Sequence, residues 1–237
     1  MNLRIGSKGK SVTDLQNMLN NKVVPSPRLK ADGDFGNKTH RAVVSFQNAN
    51  WLTPDGVVGK CTWNALTGNE KHNVLHWINL VPQPTADTCW AASTAMLLGR
   101  PTAVTLPPAL AHLAPPGTGL LNDSELQNPT NMQAYCNHFR LTLNAPQSYT
   151  TDGLYDLIKR KPIMVNRLWN SSDYVSGAGS SGHMIIIAGM RGNGDADGTT
   201  LRIYDPWPPT RGKVSSEIYS QLIKDTPTLT YNIYQVR

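Results

Sequence analysis

The stretch Gln83-Pro84-Thr85-Ala86-Asp87-Thr88-Cys89-Trp90-Ala91-Ala92-Ser93-Thr94-Ala95-Met96-Leu97-Leu98-Gly99 decides the reading of the larger part of the chain. From Trp90 to Leu98 it is an apolar, helix-competent run, stopped by Gly99 and Pro101. Cys89 therefore opens a helix, where the macrodipole and the free backbone donors favour thiolate over thiol. An inert buried cysteine is expected within the apolar face instead. Asp87 and Thr88 stand where capping residues stand, although a carboxylate beside the thiol opposes its ionisation unless it points elsewhere. Gln83, six positions before the cysteine, can offer its amide together with the Cys89 N–H to the oxyanion of a tetrahedral intermediate.

A nucleophilic thiol also needs a base. Of the six histidines, His183 has the setting for one: it follows the Gly/Ser-rich segment Ser176 to Gly182 and opens the apolar strand Met184-Ile185-Ile186-Ile187-Ala188. The Gly- and Asp-containing segment Arg191 to Gly198 reads as a hairpin turn into a second strand, Leu201-Arg202-Ile203-Tyr204-Asp205. A turn centred on Gly194 sets His183 opposite Asp205, with β-carbons about 5 Å apart, so that the carboxylate holds the imidazole tautomer. His40, His112 and His138 have no comparable carboxylate, and His72 and His76 read as surface or interface residues.

Gln-x5-Cys-Trp, the Gly-His that opens an apolar strand, and Asp205-Pro206-Trp207 in place of an Asn-x-Trp together resemble the papain-like cysteine peptidases, over residues 81 to about 210. The likeness is to the compact bacterial kind grouped with bacteriocin-processing and plant-pathogen effector peptidases. It implies Cys89 as nucleophile, His183 as general base and then acid, Asp205 as orienting group and Gln83 as oxyanion donor, with Trp90 and Trp207 beside the substrate. Ala86-Asp87-Thr88 replaces the Cys-Gly-Ser of papain, so papain's substrate preferences do not transfer.

The first seventy residues are built on a repeat. Leu29-x-x-Asp32-Gly33-x-Phe35-Gly36-x-x-Thr39-x-x-Ala42-Val43 returns 23 positions later as Leu52-x-x-Asp55-Gly56-x-Val58-Gly59-x-x-Thr62-x-x-Ala65-Leu66. Each Asp-Gly signals a turn, each second Gly a left-handed or close-packed backbone, and each Thr a cap for the helix that follows. With Val12, Leu15, Met18 and Leu19 before the repeat and Ala42, Val43 and Phe46 within it at helical spacing, three amphipathic helices are expected. Together with Gly6-x-x-Gly9-x-x-Val12-x-x-Leu15-Gln16-x-x-Leu19-Asn20, these motifs resemble the small helical peptidoglycan-binding domains over residues 3 to 67. The resemblance implies binding of a glycan strand or stem peptide near the Asp-Gly loops, with Asp32, Asp55 and Trp63 as contacts. Trp51 and Trp63 read first as core aromatics.

The expected fold is thus α+β: a three-helix peptidoglycan-binding bundle over residues 1–69, a linker over 70–80, and a papain-like domain over 81–237 whose cysteine-bearing helix packs on an antiparallel sheet. A length of 237 residues suits one domain of about 150 residues and a smaller one. The composition, 39% hydrophobic and 16% charged, is that of a globular chain rather than a disordered one. A net charge of +6 favours an anionic partner without choosing one, and the scattered basic residues do not specifically indicate nucleic acid. No apolar run reaches the ~20 residues of a membrane helix, and Met1 to Gly6 has no secretory signal pattern, so action in the periplasm or wall would follow non-Sec export or lysis. Three cysteines leave at least one free thiol, with Cys61 and Cys136 as small hydrophobes, and no metal or cofactor is implied.

Three functions stand at this point. The first is an acyl-enzyme hydrolase of a peptidoglycan amide, resembling an antibacterial secreted effector or a lysin, with an immunity protein and a secretion-apparatus component as partners. The second is a protein-cleaving toxin that uses the helical module for docking, and the third a non-catalytic wall-binding adaptor.

Overall fold

The computed structural model describes residues 2–120, 129–144, 149–168, 182–224 and 233–237. The chain divides into two compact units: Met1–Asn73 with Arg191–Leu201 and Ser216–Ser220, and Val74–Met190 with Arg202–Ser215 and Gln221–Arg237. The class is α+β.

In the first unit the expected helices are α1 (Lys10–Lys22), α2 (Asn37–Ala49) and α3 (Lys60–Thr67). Their apolar stripes close one core around Leu3, Val12, Leu15, Leu19, Phe35, Val43, Phe46, Val58 and Leu66. The repeat is structural down to single hydrogen bonds. Gln16 Nε2 donates to Asp32 Oδ1, Asp34 O and Thr39 Oγ1 at 3.1, 3.1 and 3.3 Å, while its Oε1 accepts from Gly33 N at 3.0 Å. Gln47 Nε2 does the same with Asp55 Oδ1, Val57 O and Thr62 Oγ1 at 2.9, 3.0 and 3.2 Å, and its Oε1 accepts from Gly56 N at 2.9 Å. A buried amide that uses its donors and acceptor fixes the turn, and its hydrogen bonds offset the cost of taking it out of water.

Two local expectations are corrected by this network. Thr39 and Thr62 do not cap helices: the N-caps are Gly36 and Gly59, and the threonines sit one turn in as acceptors for the glutamines. The left-handed glycines are Gly33 (φ 75°) and Gly56 (φ 72°), the first of each pair, because the amide must reverse there to meet the glutamine oxygen.

The hairpin segment within this unit is held by Arg191, which is 7% exposed. Its guanidinium forks onto Glu70 (Nε to Oε1 2.6 Å, a second nitrogen to Oε2 2.9 Å), donates to Asn50 O at 2.7 Å and lies 5.2 Å from the Trp51 ring centroid. Trp51 thus serves the fold as a cation platform. His72, expected at a surface or interface, is buried at 3% exposure.

The second unit is organised on a sheet of order β2-β7-β3-β4-β5-β6, with β1 (His72–Leu75) also paired to β4. These strands are β2 (Leu141–Asn144), β3 (Ile163–Leu168), β4 (Gly182–Gly192), β5 (Thr199–Asp205), β6 (Lys213–Ile218) and β7 (Ile233–Val236). Residues 70–80, read from sequence as a linker, therefore contain a strand. At four residues, His72 to Leu75, it is too short to show an alternation in sequence. Antiparallel pairing of β3 with β4 sets Met164 against Ile186 and Arg167 against His183.

Helix α4 (Cys89–Leu97) buries every residue from Trp90 to Leu97. Ser93 Oγ donates to Met184 O at 2.8 Å, and Thr94 Oγ1 meets the Tyr135 hydroxyl at 2.6 Å, so its polar groups are paired inside the core. Tyr135, on α5 (Pro129–Phe139), stands edge-on to Trp90, Phe139 and Tyr234. Burial pushes its phenol pKa up. Helices α6 (Thr151–Ile158), capped by Thr150 Oγ1 on Gly153 N, and α7 (Tyr219–Lys224) complete the order.

The β4–β5 turn differs from the one expected. It closes through a 3-10 turn at Ala196–Gly198, with Asn193 N donating to Gly198 O at 3.4 Å, rather than around Gly194. A β-carbon on Gly192 (φ 145°) would sit 2.2 Å from Gly198 O, which is why glycine stands there. The register at the turn is thus not the one on which a direct pairing of His183 with Asp205 is expected, although the two side chains do meet. Of the Gly/Ser-rich segment before His183, residues 176–181 lie outside the described residues.

Candidate active site

Cys89 is the first residue of α4 and is half-buried. The side chains expected to cap this helix are turned away from it. Thr88 is the N-cap by position, but its hydroxyl donates to Thr85 O at 3.1 Å and accepts from Thr85 N at 3.0 Å. Asp87 accepts from Gly117 N at 2.9 Å and from the Thr85 hydroxyl. That Thr85 bond, ahead of the backbone contacts, holds the Asp87 carboxyl below its ordinary range. The carboxylate is therefore tied into the 85–117 loop pair and not into the thiol. Ala91 N and Ala92 N bond to Thr88 O, and no acceptor among the described residues takes the Cys89 N–H.

His183, 5% exposed at the start of β4, hydrogen-bonds through Nε2 to Asp205 Oδ1 at 2.7 Å. The nearby Cys89 side chain also favours the charged form of the ring. Burial works against charge on this ring, but the Asp205 hydrogen bond and the influence of Cys89 outweigh it and raise its pKa from 6.5 to about 9. Asp205, at the end of β5, is itself aimed by Trp207 N, which donates to the same Oδ1 at 2.9 Å. That backbone contact is a role for Trp207 that its side chain does not advertise.

Gln83 is fully buried. Its backbone is pinned to the loop after Asp205, with its N–H on Pro206 O at 3.1 Å and its carbonyl accepting from Thr210 N at 2.9 Å. Nε2 donates to Thr85 O at 2.6 Å, which fixes the amide orientation and leaves the second Nε2 proton to point elsewhere. A thiol, an imidazole, a carboxylate and a buried amide donor are thus assembled from three separate parts of the chain. Chemically, such a set can form a thiolate–imidazolium pair, attack a carbonyl and protonate a leaving amine.

A cleft of about 360 Å³ opens beside the N-terminus of α4. Thr88, Trp90 and Ala91 line one wall, and Val104, Leu106 and Ala114 are among those that line the other. This second wall was not anticipated, because residues 101–116 have no periodicity from which a face can be read. Trp90 is 6% exposed and serves both the core and the cleft. In the helical module, Asp32 and Asp55 each give an oxygen to the glutamine network. The Asp34 N–H, followed by Gln16, lowers the Asp32 pKa. Trp63 is half-buried against the module's core. Among the described residues there is no group of three or more His, Cys, Asp or Glu side chains able to hold a metal ion.

Residues 69–224 match the family model of the papain-like cysteine protease AvrRpt2, and residues 8–66 match that of the peptidoglycan binding domain. The crystal structure of the Burkholderia AP3 phage endolysin is 36% identical over an alignment covering 28% of this chain and 24% of that one, with a TM-score of 0.25. The chain thus spans about a quarter of that endolysin's length.

Proposed function

The chain belongs to the family of the papain-like cysteine protease AvrRpt2 and is a cysteine hydrolase with an N-terminal peptidoglycan-binding domain; from that premise we propose that it cleaves an amide bond of peptidoglycan through an acyl-enzyme on Cys89. The observation that carries the chemistry is the buried His183 ring, bonded through Nε2 to Asp205 at 2.7 Å and with its charged form favoured by both Asp205 and Cys89.

In this mechanism the Cys89 thiolate attacks the scissile carbonyl carbon, forming a C–S bond and an oxyanion. The Cys89 N–H and the second Gln83 Nε2 proton stabilise that oxyanion. As the intermediate collapses, the C–N bond breaks and the His183 imidazolium gives its proton to the departing amine. Water then attacks the thioester, His183 takes the water's proton, and the C–S bond breaks to release the carboxylate and return the thiolate. Asp205 keeps the ring in its tautomer and stabilises the imidazolium throughout. The helical module keeps the enzyme on the polymer, so that successive cuts occur at high effective concentration. A secreted antibacterial effector or a lysin is the setting we propose, acting in the periplasm or wall, with an immunity protein protecting an effector's producer.

Purified sacculi digested with the wild-type chain should release muropeptides whose masses and new amino termini identify the bond, and Cys89→Ala should release none. A second reading has one observation in its favour. The cleft beside Cys89 is apolar and large enough for a bulky side chain, which suits a protein substrate better than the small and acidic residues of a stem peptide. Intact sacculi alongside a digested protein panel would select that reading and discard the first.

A further inference from the structure

The two repeats of the helical module have the same internal network but opposite surfaces. At three positions the second repeat uses neutral side chains to hold other segments of its own unit by their carbonyls. Thr53 Oγ1 donates to Ser216 O at 3.2 Å, Cys61 Sγ to Asp197 O at 3.3 Å, and Asn64 Nδ2 to Gly198 O at 3.2 Å. Asn64 is 7% exposed, and burial raises the Cys61 thiol pKa, as befits a covered face. The equivalent positions 23 residues earlier are Lys30, Lys38 and Arg41, all exposed.

Internal symmetry therefore places three cations, on the first repeat, where the second repeat meets three backbone carbonyls. Residues 1–73 contain ten Lys and Arg against five Asp and Glu, so this module carries nearly all of the chain's net charge of +6. One face has become an internal joint. Its twin keeps the shape that seats a chain of hydrogen-bond acceptors and has exchanged neutral donors for charged ones.

We propose that the face of the first repeat bearing Lys30, Lys38 and Arg41 is the surface by which the module holds the wall, and that it takes the anionic groups of the wall polymer. This rests on the wall-binding reading and deepens it. The shared chemistry is an oxygen anion, supplied either by the carboxylates of stem peptides or by the phosphodiesters of wall-attached polymers. Guanidinium and ammonium donors suit both, and their attraction is weakened by salt. The second repeat's loop, joined to its own hairpin, takes no part.

The test uses the full chain carrying Cys89→Ala, so that the polymer is not cut, and measures co-sedimentation with purified sacculi from 0.05 to 0.5 M salt, roughly the range over which the Debye length halves or more. Lys30→Thr, Lys38→Ser and Arg41→Asn together mimic the second repeat and so suit the fold, which circular dichroism checks. This triple variant should bind at least about tenfold more weakly and lose most of its salt dependence. A control that removes the same charge elsewhere, Arg4→Ser with Lys10→Ser and Lys22→Ser, should bind within about twofold of the parent. Equal binding by the triple variant, or an equal loss in the control, overturns the assignment of the face while leaving wall binding intact. Failure of the parent to sediment removes wall binding itself and the assignment with it. Sacculi stripped of phosphodiester polymers separate the two sources: retained binding identifies the stem-peptide carboxylates, lost binding the phosphodiesters, and either result supports the face if the triple variant is the weaker binder.

Discussion

Replacing Asp205 by Asn is the sharpest probe of the proposed chemistry, because it removes a charge and little volume. The rise of the His183 pKa from 6.5 to about 9 amounts to about 3 kcal/mol of preference for the charged ring. Burial opposes that charge, and the Asp205 hydrogen bond is the foremost contribution that overcomes it. With an amide in its place, burial remains and its chief counterweight is gone, so the ring should titrate at or below its ordinary value. Suppose it falls only to 6.5. At pH 8 about nine-tenths of the wild-type rings are charged and about 3% of the variant's, a deficit of about 30-fold in the imidazolium that must protonate the leaving amine; at pH 6 the two differ by well under twofold.

Any loss of ring orientation lowers both rates by a factor independent of pH, so the diagnostic quantity is the ratio of the deficits at pH 8 and pH 6. Rates of fragment release from sacculi between pH 5.5 and 10 give that ratio, and an NMR titration of the His183 ring gives the pKa directly. Stability provides a second readout. The folded-state pKa lies above the unfolded one, so the stabilisation is complete below pH 6.5 and is lost as pH rises through about 9. Asp205→Asn should therefore lower Tm most near pH 6 and least above pH 9. An alkaline limit unmoved from about 9, or equal deficits at both pH values, would refute the assigned role of the carboxylate.

Gln83→Ala should lower kcat by about 10²- to 10³-fold with a smaller change in KM, as expected for an oxyanion donor; because the residue is fully buried, a Gln83→Glu variant of near-equal volume, and no more active, checks that packing is not the cause. Glu70→Ala leaves the buried Arg191 guanidinium without its carboxylate and should destabilise the unit by about 3–5 kcal/mol, read by urea unfolding; a loss under 1 kcal/mol would mark the pair as a surface-type bridge. Gln16→Ala and Gln47→Ala should cost similar amounts, each a few kcal/mol, because each strips the same four hydrogen bonds from one repeat; a difference beyond about twofold would show that the repeats are not energetically equivalent.

The parts of the molecule that were readable from sequence are those set by local rules. Val12, Leu15 and Leu19, like Ala42, Val43 and Phe46, announce a helix by spacing alone, and Cys89 at the head of an uninterrupted apolar run announces its own position. What escaped depends on partners distant in sequence. Thr39 and Thr62 obey the local statistics of caps, yet the glutamines one helix earlier claim them. The turn segment offers several Gly and Asp residues, and which of them reverses the chain is decided by Asn193 and Gly198 closing on each other. His183 and Asp205 still meet, with Nε2 and Oδ1 2.7 Å apart. Much of the cleft lining comes from residues 103–116, where Ala, Val, Leu and Pro follow no period, and only the packed structure shows which of them line it.

The uncapped start of α4 joins the stability of the fold to its chemistry. A Ser, Thr, Asp or Asn cap contributes roughly 1 kcal/mol to a helix, and two such residues precede Cys89. Neither is used: Thr88 folds back on Thr85, and Asp87 reaches across to Gly117. A capping oxygen bonds the second or third N–H of a helix, here Trp90 or Ala91, and so would crowd the Cys89 N–H where the proposed oxyanion must sit; a carboxylate cap would also oppose the thiolate. The same Thr85 that draws Thr88 and Asp87 aside accepts the Gln83 amide through its carbonyl. One residue therefore clears the helix terminus, draws the nearby carboxylate aside and aims the side-chain donor. The two residues best suited to cap the helix serve the neighbouring loop instead, and the Cys89 N–H keeps no acceptor among the described residues.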